Sequence, residues 1–149
     1  MNLFDELMAV TQALDRQSVD YALVGGLAVA VWGAARATKD IDLLVRPEEV
    51  ERAKASIRAC GYTLEAVPMT FSDGMRLHRV NKVDGSDLST VDFILVDHNL
   101  EPVWLSRRVQ PVEGGEVRVV GRDALIAMKL AAGRPQDQAD VIRLTEQDR

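Results

Sequence analysis

Cysteine is almost missing from this chain: Cys60 stands alone in 149 residues. No intramolecular disulfide can form, a cysteine-based zinc site is excluded, and a reducing, cytoplasmic setting is expected. Positive charge is also short. Lys and Arg number 18 against 23 Asp and Glu, giving a net charge of −5 and a pI of about 5.0. No global basic field is available to hold a nucleic-acid backbone, so any such contact is local. Aromatic residues make up 5% of the chain, and Trp32 and Trp104 read as core or interface anchors. The longest apolar run, Ala22 to Ala35, falls short of the ~20 residues a bilayer requires and is interrupted by Gly25, Gly26 and Gly33. No membrane segment is expected. The first residues carry Asp5, Glu6 and Asp15 and lack the basic start and cleavage site of a secretory signal. Internal repeats and low-complexity linkers are absent.

What remains is an ordinary globular composition, 47% hydrophobic and 28% charged, at a length that fits one domain over residues 1–149. Leu3, Leu7 and Leu14 recur at helical spacing in an amphipathic first helix. Tyr21–Val24 reads as a buried strand ending at Gly25-Gly26, Leu27–Ala35 as a small-residue helix, and Ile41–Val45 as a strand. Pro47 opens a helix that runs through Val50–Cys60 and stops at Gly61. Tyr62–Val67, Met75–Val80 and Thr90–Val96 are further strands, with Asp73-Gly74 and Asp84-Gly85 as turns, and Val117–Val120 is a short edge strand. Arg122–Ala132 and Gln136–Leu144 are helical, separated by Gly133 and Pro135, so that residues 122–149 form a C-terminal helical segment packing back on the core. The expected class is α/β (α+β), a mixed sheet flanked by helices.

Two carboxylates interrupt this apolar pattern. Alternation along a strand turns Asp40 and Asp42 to one face while Ile41 and Leu43 take the other. Like charges so close repel and raise one pKa unless a cation sits between them, and Mg²⁺, with Mn²⁺ as an alternative, suits carboxylates shared with substrate phosphates. A Gly25-Gly26 turn ahead of a helix lets backbone N–H groups approach a phosphate. If Thr90–Val96 lies beside Ile41–Val45, Asp92 adds a third carboxylate, and the cluster meets the needs of metal-dependent phosphoryl transfer. No Walker A sequence is present.

The Gly25-Gly26 turn, its spacing to Asp40-Ile41-Asp42 and the later Asp92 resemble the nucleotidyltransferase fold of the DNA polymerase β superfamily. Arg36-Ala37-Thr38-Lys39-Asp40-Ile41-Asp42 and the distal stretch from Lys129 to Asp140 are similar to the AbiEii-type branch, whose members include toxins of toxin–antitoxin systems. The resemblance implies Mg²⁺-dependent transfer of a nucleoside monophosphate from an NTP to an RNA, tRNA among them, or to a protein, with a cognate partner protein in a toxin–antitoxin setting. It implies metal ligation by Asp40 and Asp42, to which the strand reading adds Asp92 as a third ligand, triphosphate contact by Gly25 and Gly26, phosphate binding by Lys129 and Arg134, and catalytic duty for Asp137 with Asp140 in support. Gln136 departs from the pattern, standing where a basic residue often precedes the aspartate, and the longer helical region of the larger toxins does not follow Leu144.

Competing readings stay open beside these. Asp40 suits a turn and Asp42 an ion pair with Lys39 or Arg36, and Asp92 suits a sheet edge facing water. Arg36 and Lys39 are either triphosphate contacts or solvated loop charges. Lys129 can run its stem along a helix to solvent, and Asp137 and Asp140 can serve the positive end of a helix, although they share one helical face with Val141 and Leu144. His78 and His98 read as satisfied polar positions. The alternative to an enzyme is a non-catalytic nucleotide-binding or antitoxin-like partner-binding module of the same fold.

Overall fold

A computed structural model of the chain describes residues 2–34 and 38–146. The first helix, α1 (Leu3–Arg16), begins where the Asn2 side chain accepts hydrogen bonds from the Phe4 and Asp5 backbone N–H groups, and Asp5 and Glu6 face its positive end. Its Leu7, Val10 and Leu14 are fully buried. Glu6, on the flank of that buried stripe, accepts hydrogen bonds from Tyr62 Oη at 2.8 Å and from Lys82 Nζ of the sheet at 2.9 Å.

The first strand, β1 (Ala22–Val24), passes directly into α2 (Gly25–Val31), and β2 (Asp40–Val45) returns antiparallel beside β1. After a 3₁₀ turn opened by Pro47, α3 (Val50–Ile57) and a second 3₁₀ turn end at Gly61, whose φ of +95° only glycine adopts freely. Two short strands, β3 (Leu64–Glu65) and β4 (Met69–Thr70), both pair with β5 (Arg76–Asp84), which forms a hairpin with β6 (Asp87–Leu95). A short helix, α4 (Glu101–Leu105), then leads to the hairpin of β7 (Arg108–Val112) and β8 (Gly115–Val119). Two helices close the fold, α5 (Arg122–Ala132) and α6 (Pro135–Glu146).

The strands form one mixed sheet in the order β3-β5-β6-β2-β1-β8-β7, with β4 also on β5. β2 runs parallel to β6 and β1 parallel to β8, and the other pairings are antiparallel. Alternation fixes the two faces. Ile41, Leu43 and Val45 of β2 and Val91, Phe93 and Leu95 of β6 enter an apolar core shared with Leu7, Leu14 and Ile57. Each such buried side chain contributes roughly 1.5–3 kcal/mol. A one-residue slip of β2 would drive Asp40 and Asp42 into that core, so the register that buries the apolar set also presents the carboxylates. Among the described residues, no helix is long and apolar enough to cross a membrane.

Several elements differ from the sequence reading. Val117–Val120 is not an edge strand: β8 ends at Val119 and lies between β1 and β7, because β7, which the sequence reading lacks, takes the edge. Tyr62–Val67 shrinks to the pair Leu64–Glu65, and the helix after Pro47 loses its α-helical form at Ile57. Gly25 and Gly26 form the first turn of α2 itself instead of preceding it, and α2 ends at Val31, before Ala35. Gly133, with φ +66°, ends α5, and Pro135 starts α6. Leu125 and Leu144 anchor the two helices in the core.

Candidate active site

Strand register builds the first part of the site. In the parallel pair of β2 and β6, Asp40 lies opposite Thr90 and Asp42 opposite Asp92, and in-register side chains share a face. One strand further out, Arg79 of β5 lies opposite Asp92. A row of Asp42, Asp92 and Arg79 therefore crosses three adjacent strands. Arg79 donates from Nε to Asp92 Oδ1 at 2.8 Å and from Nη2 to Oδ2 at 2.9 Å, a bidentate ion pair. The Asp92 side chain is 5% exposed and that of Arg79 40%, so the pair reaches from the sheet toward solvent.

Behind Asp42 sits the start of α2. Val24 of β1 is the partner of Asp42 across the antiparallel ladder, and Gly25 follows it with φ +72°. A Cβ at Gly25 would overlap Asp42 Oδ2 and sit 2.9 Å from its Cγ. Glycine is required here twice, for its left-handed backbone and for the carboxylate pressed against it. Gly25→Ala is expected to destabilise the fold by about 1–2 kcal/mol from backbone strain alone and to push Asp42 out of line. Thermal melts and Mn²⁺ titration of the variant check both effects, and a parent-like result in each would show that the approach is loose.

Burial raises the Asp42 carboxyl to about 7, with the charges of Asp92 and Asp40 adding to the rise and those of Lys129 and Arg79 opposing it. Asp40 is raised as well, by burial first and Asp92 next, against Arg79 and Lys39. Lys39 is exposed beside it. Arg36 lies outside the described residues.

The distal helices complete the arrangement. Lys129 is 7% exposed, and its Nζ lies 3.3 Å from Asp137 Oδ1 and 3.1 Å from Asp140 Oδ2, both acids being fully buried. Arg134 reaches Asp137 Oδ2 from Nε at 2.6 Å. Burial alone would raise the Asp137 carboxyl, but the hydrogen bonds from Arg134 and Lys129 outweigh it and hold the group below its usual range. The reading of Lys129 as a solvated stem is overturned, and the two acids do point inward. Lys129 and Arg134 lie within electrostatic reach of Asp42, and α2, which opens behind Asp42, packs against α5. The Lys129 amine is nevertheless held between two acids and not open to solvent.

The family described as nucleotidyltransferase of unknown function (DUF6036) matches residues 1–146. The chain belongs to that family. Comparison of this nucleotidyltransferase with curated proteins finds no match. Among solved structures it is similar to a Thermotoga maritima protein described as a candidate nucleotidyltransferase, at 15% identity and a TM-score of 0.70, over 99% of this chain and 94% of the other. It is similar to the lincosamide antibiotic adenylyltransferase LnuA, in a lincomycin-bound crystal structure, at 13% identity and a TM-score of 0.69, over 95% of each chain. A third structure, ANT(2'')-Ia in complex with adenylyl-2''-tobramycin, is 18% identical with a TM-score of 0.64, over 94% of this chain and 85% of the other. At these identities the likeness is one of fold.

Asp40 and Asp42 of the nucleotidyltransferase fit a divalent cation: they lie two residues apart on one face, and burial first and the charge of Asp92 next disfavour their charged forms until a cation compensates them. Among the described residues, no three His, Cys, Asp or Glu side chains are grouped to hold a metal ion as they stand. Asp92 is in the row, but both its oxygens are taken by Arg79. Sequence reasoning missed Arg79, and the signal for it was present. The Asp84-Gly85 turn closes the β5–β6 hairpin at the pair Asp84 and Asp87, and counting back residue by residue from there sets Arg79 opposite Asp92.

Proposed function

We propose that this nucleotidyltransferase moves a nucleoside monophosphate from an NTP to an acceptor hydroxyl, using Mg²⁺ or Mn²⁺. The observation that carries the reading is the Asp40–Asp42 pair, destabilised in its charged form, with Asp42 pressed against the glycine that opens α2. Asp40 and Asp42 hold the cation, and a bound cation would neutralise triphosphate charge and steady the leaving pyrophosphate. Gly25 and Gly26 let the phosphates approach the backbone at the start of α2, and the exposed Lys39 supplies positive charge beside Asp40, with Arg36, three residues before Lys39 in the sequence, as a further basic candidate. Asp92 faces the same cleft and orients the attacking hydroxyl. Lys129, Arg134, Asp137 and Asp140 form the distal wall, where Lys129 and Arg134 set the local potential for phosphate. Residues 1–149 act as one nucleotidyltransferase domain, with 122–149 as its closing helical segment.

For the acceptor we favour a small polar molecule. The chain and LnuA cover 95% of each other, and LnuA is a lincosamide adenylyltransferase. A net charge of −5 offers no broad attraction for RNA. The second reading rests on the stretch from Arg36 to Asp42 and its AbiEii-type resemblance: an RNA, tRNA included, or a protein as acceptor, in a cytoplasmic toxin–antitoxin pair with a cognate partner. Incubation with each NTP labelled at the α-phosphate, Mg²⁺, and separate pools of hydroxylated small molecules, total tRNA and cell protein tests both. Label in the small-molecule pool, lost in Asp42→Asn, is the expected result. Label in tRNA or protein moves the acceptor to the second reading. No label in any pool with any NTP would make the chain a non-catalytic nucleotide- or partner-binding module.

A further inference from the structure

A cation already stands at Asp92, the guanidinium of Arg79, and it is held by the carboxylate that a three-aspartate metal site would use. We infer that Arg79 is a positioning residue that takes the place of a metal ion at Asp92, so that in the absence of nucleotide the divalent-cation site consists of Asp40 and Asp42 alone. The inference rests on the nucleotidyl-transfer reading of the site.

Geometry carries the argument. The pair is bidentate, at 2.8 and 2.9 Å, and uses both oxygens of Asp92. An ion approaching Asp92 must therefore displace at least one of two charge-assisted hydrogen bonds. The partners are also fixed from behind, because Arg79 and Asp92 are direct neighbours in the antiparallel ladder of β5 and β6, where opposed side chains lie within reach of each other. Asp42 sits at the same level on β2, so Asp92 stands between Arg79 and Asp42 across the sheet. Arg79 opposes the charge that Asp92 presents to Asp42 without cancelling it, and its own hydrogen bonds go to Asp92. Among the described residues, neither Asp40 nor Asp42 has a comparable partner drawn to both oxygens, and Lys39 beside Asp40 is exposed.

Guanidinium substitution for a metal predicts that charge, more than shape, controls ion binding at Asp92. Mn²⁺ titration by calorimetry without nucleotide, on the full chain, separates the two. The parent binds one ion, and Asp42→Asn abolishes that binding. In Arg79→Gln the freed Asp92 carboxylate adds either a second ion or a gain in affinity of about tenfold, the equivalent of one pKa unit of charge interaction. Arg79→Lys keeps the charge, loses the fork and stays close to the parent in ion number and affinity. In the double variant Arg79→Gln/Asp92→Asn, which removes a neutral pair and leaves hydrogen-bonding amides, affinity stays within about threefold of the parent. This last variant avoids a buried unpaired charge, so it decides the matter if Arg79→Gln fails to fold. A double variant that loses tenfold or more would place Asp92 among the ion's ligands in the parent and overturn the inference. So would an Arg79→Gln protein that binds Mn²⁺ as the parent does. If the parent binds no ion that Asp42→Asn removes, the transfer reading itself fails and the inference with it; the other two outcomes leave that reading intact.

Discussion

Without divalent cation, this nucleotidyltransferase is expected to lose stability as the pH rises from about 4 to about 7, and Mg²⁺ with NTP is expected to restore it. The Asp42 carboxyl is raised from 3.8 to about 7 in the folded protein. Between those values the folded chain keeps a proton that the unfolded chain releases, so each step upward in pH favours unfolding. The stabilisation is complete below the unfolded pKa and gone above the folded one. About three pKa units at roughly 1.4 kcal/mol each set an upper limit of about 4 kcal/mol for this one group. A cation binds the ionised form, so its binding expels the proton and strengthens with pH over the same window. Asp42→Asn removes both effects: the cation-free melting temperature loses this descending component, and millimolar Mg²⁺ with NTP adds little. Melts of parent and variant at pH 5, 6, 7 and 8, with and without Mg²⁺ and each NTP, read this directly. A parent whose melting temperature is flat across that range and indifferent to the ion would remove Asp42 from any metal site.

The largest loss from a single residue is expected at Asp137. Its carboxylate has no exposure to water and holds both Lys129 and Arg134. Asp137→Ala leaves the Lys129 amine buried with Asp140 as its remaining partner and leaves a void besides. Removing one member of such a pair costs about 3–5 kcal/mol, far above the contribution of an exposed ion pair. For a chain of this length the melting temperature falls by roughly 10 °C. Asp137→Asn keeps the volume and two of the acceptor positions, and it falls by less. A shift below about 2 °C in Asp137→Ala would mean that water reaches the cluster and that the acid is dispensable to the fold, which would return catalytic duty to the centre of its explanation.

The parts of this molecule that could be read from sequence are those in which one local pattern has one meaning. Alternation in Asp40–Val45 and again in Thr90–Leu95 fixed which side chains share a face, and the observed register pairs Asp42 with Asp92 on that face. The helical spacing of Asp137, Asp140 and Leu144 likewise pointed the acids inward, and all three are fully buried. β7 and α4 were not legible for definite reasons. β7 contains Pro111 and has no fully buried residue, as suits an edge strand, so its pattern is not that of a half-buried one. α4 has five residues, Pro102 among them, too few for a helical period to show. Lys129 was ambiguous because its neighbours Met128 and Leu130 fit a surface helix as well as a buried one, and only the fold of α6 over α5 supplies the two acids that draw it inward. Arg79 was hidden for a different reason. Nothing in its own stretch marks it, and its importance comes entirely from what lies across the hairpin.

The sheet order also governs how the protein comes into being. β1 is flanked by β2, close in the chain, and by β8, with Leu23 paired to Val119. The hairpin of β5 and β6 and the neighbouring β1 and β2 can form from nearby segments, whereas closing β8 against β1 must wait for most of the chain to be made and brought round. α5 and α6 follow β8 in the chain, so the buried Lys129 cluster is made after β8. During synthesis, Asp40, Asp42 and Asp92 can stand assembled on a partial sheet for a period in which the distal wall does not yet exist. The sheet carboxylates can thus come together before α5 and α6 have folded against the sheet.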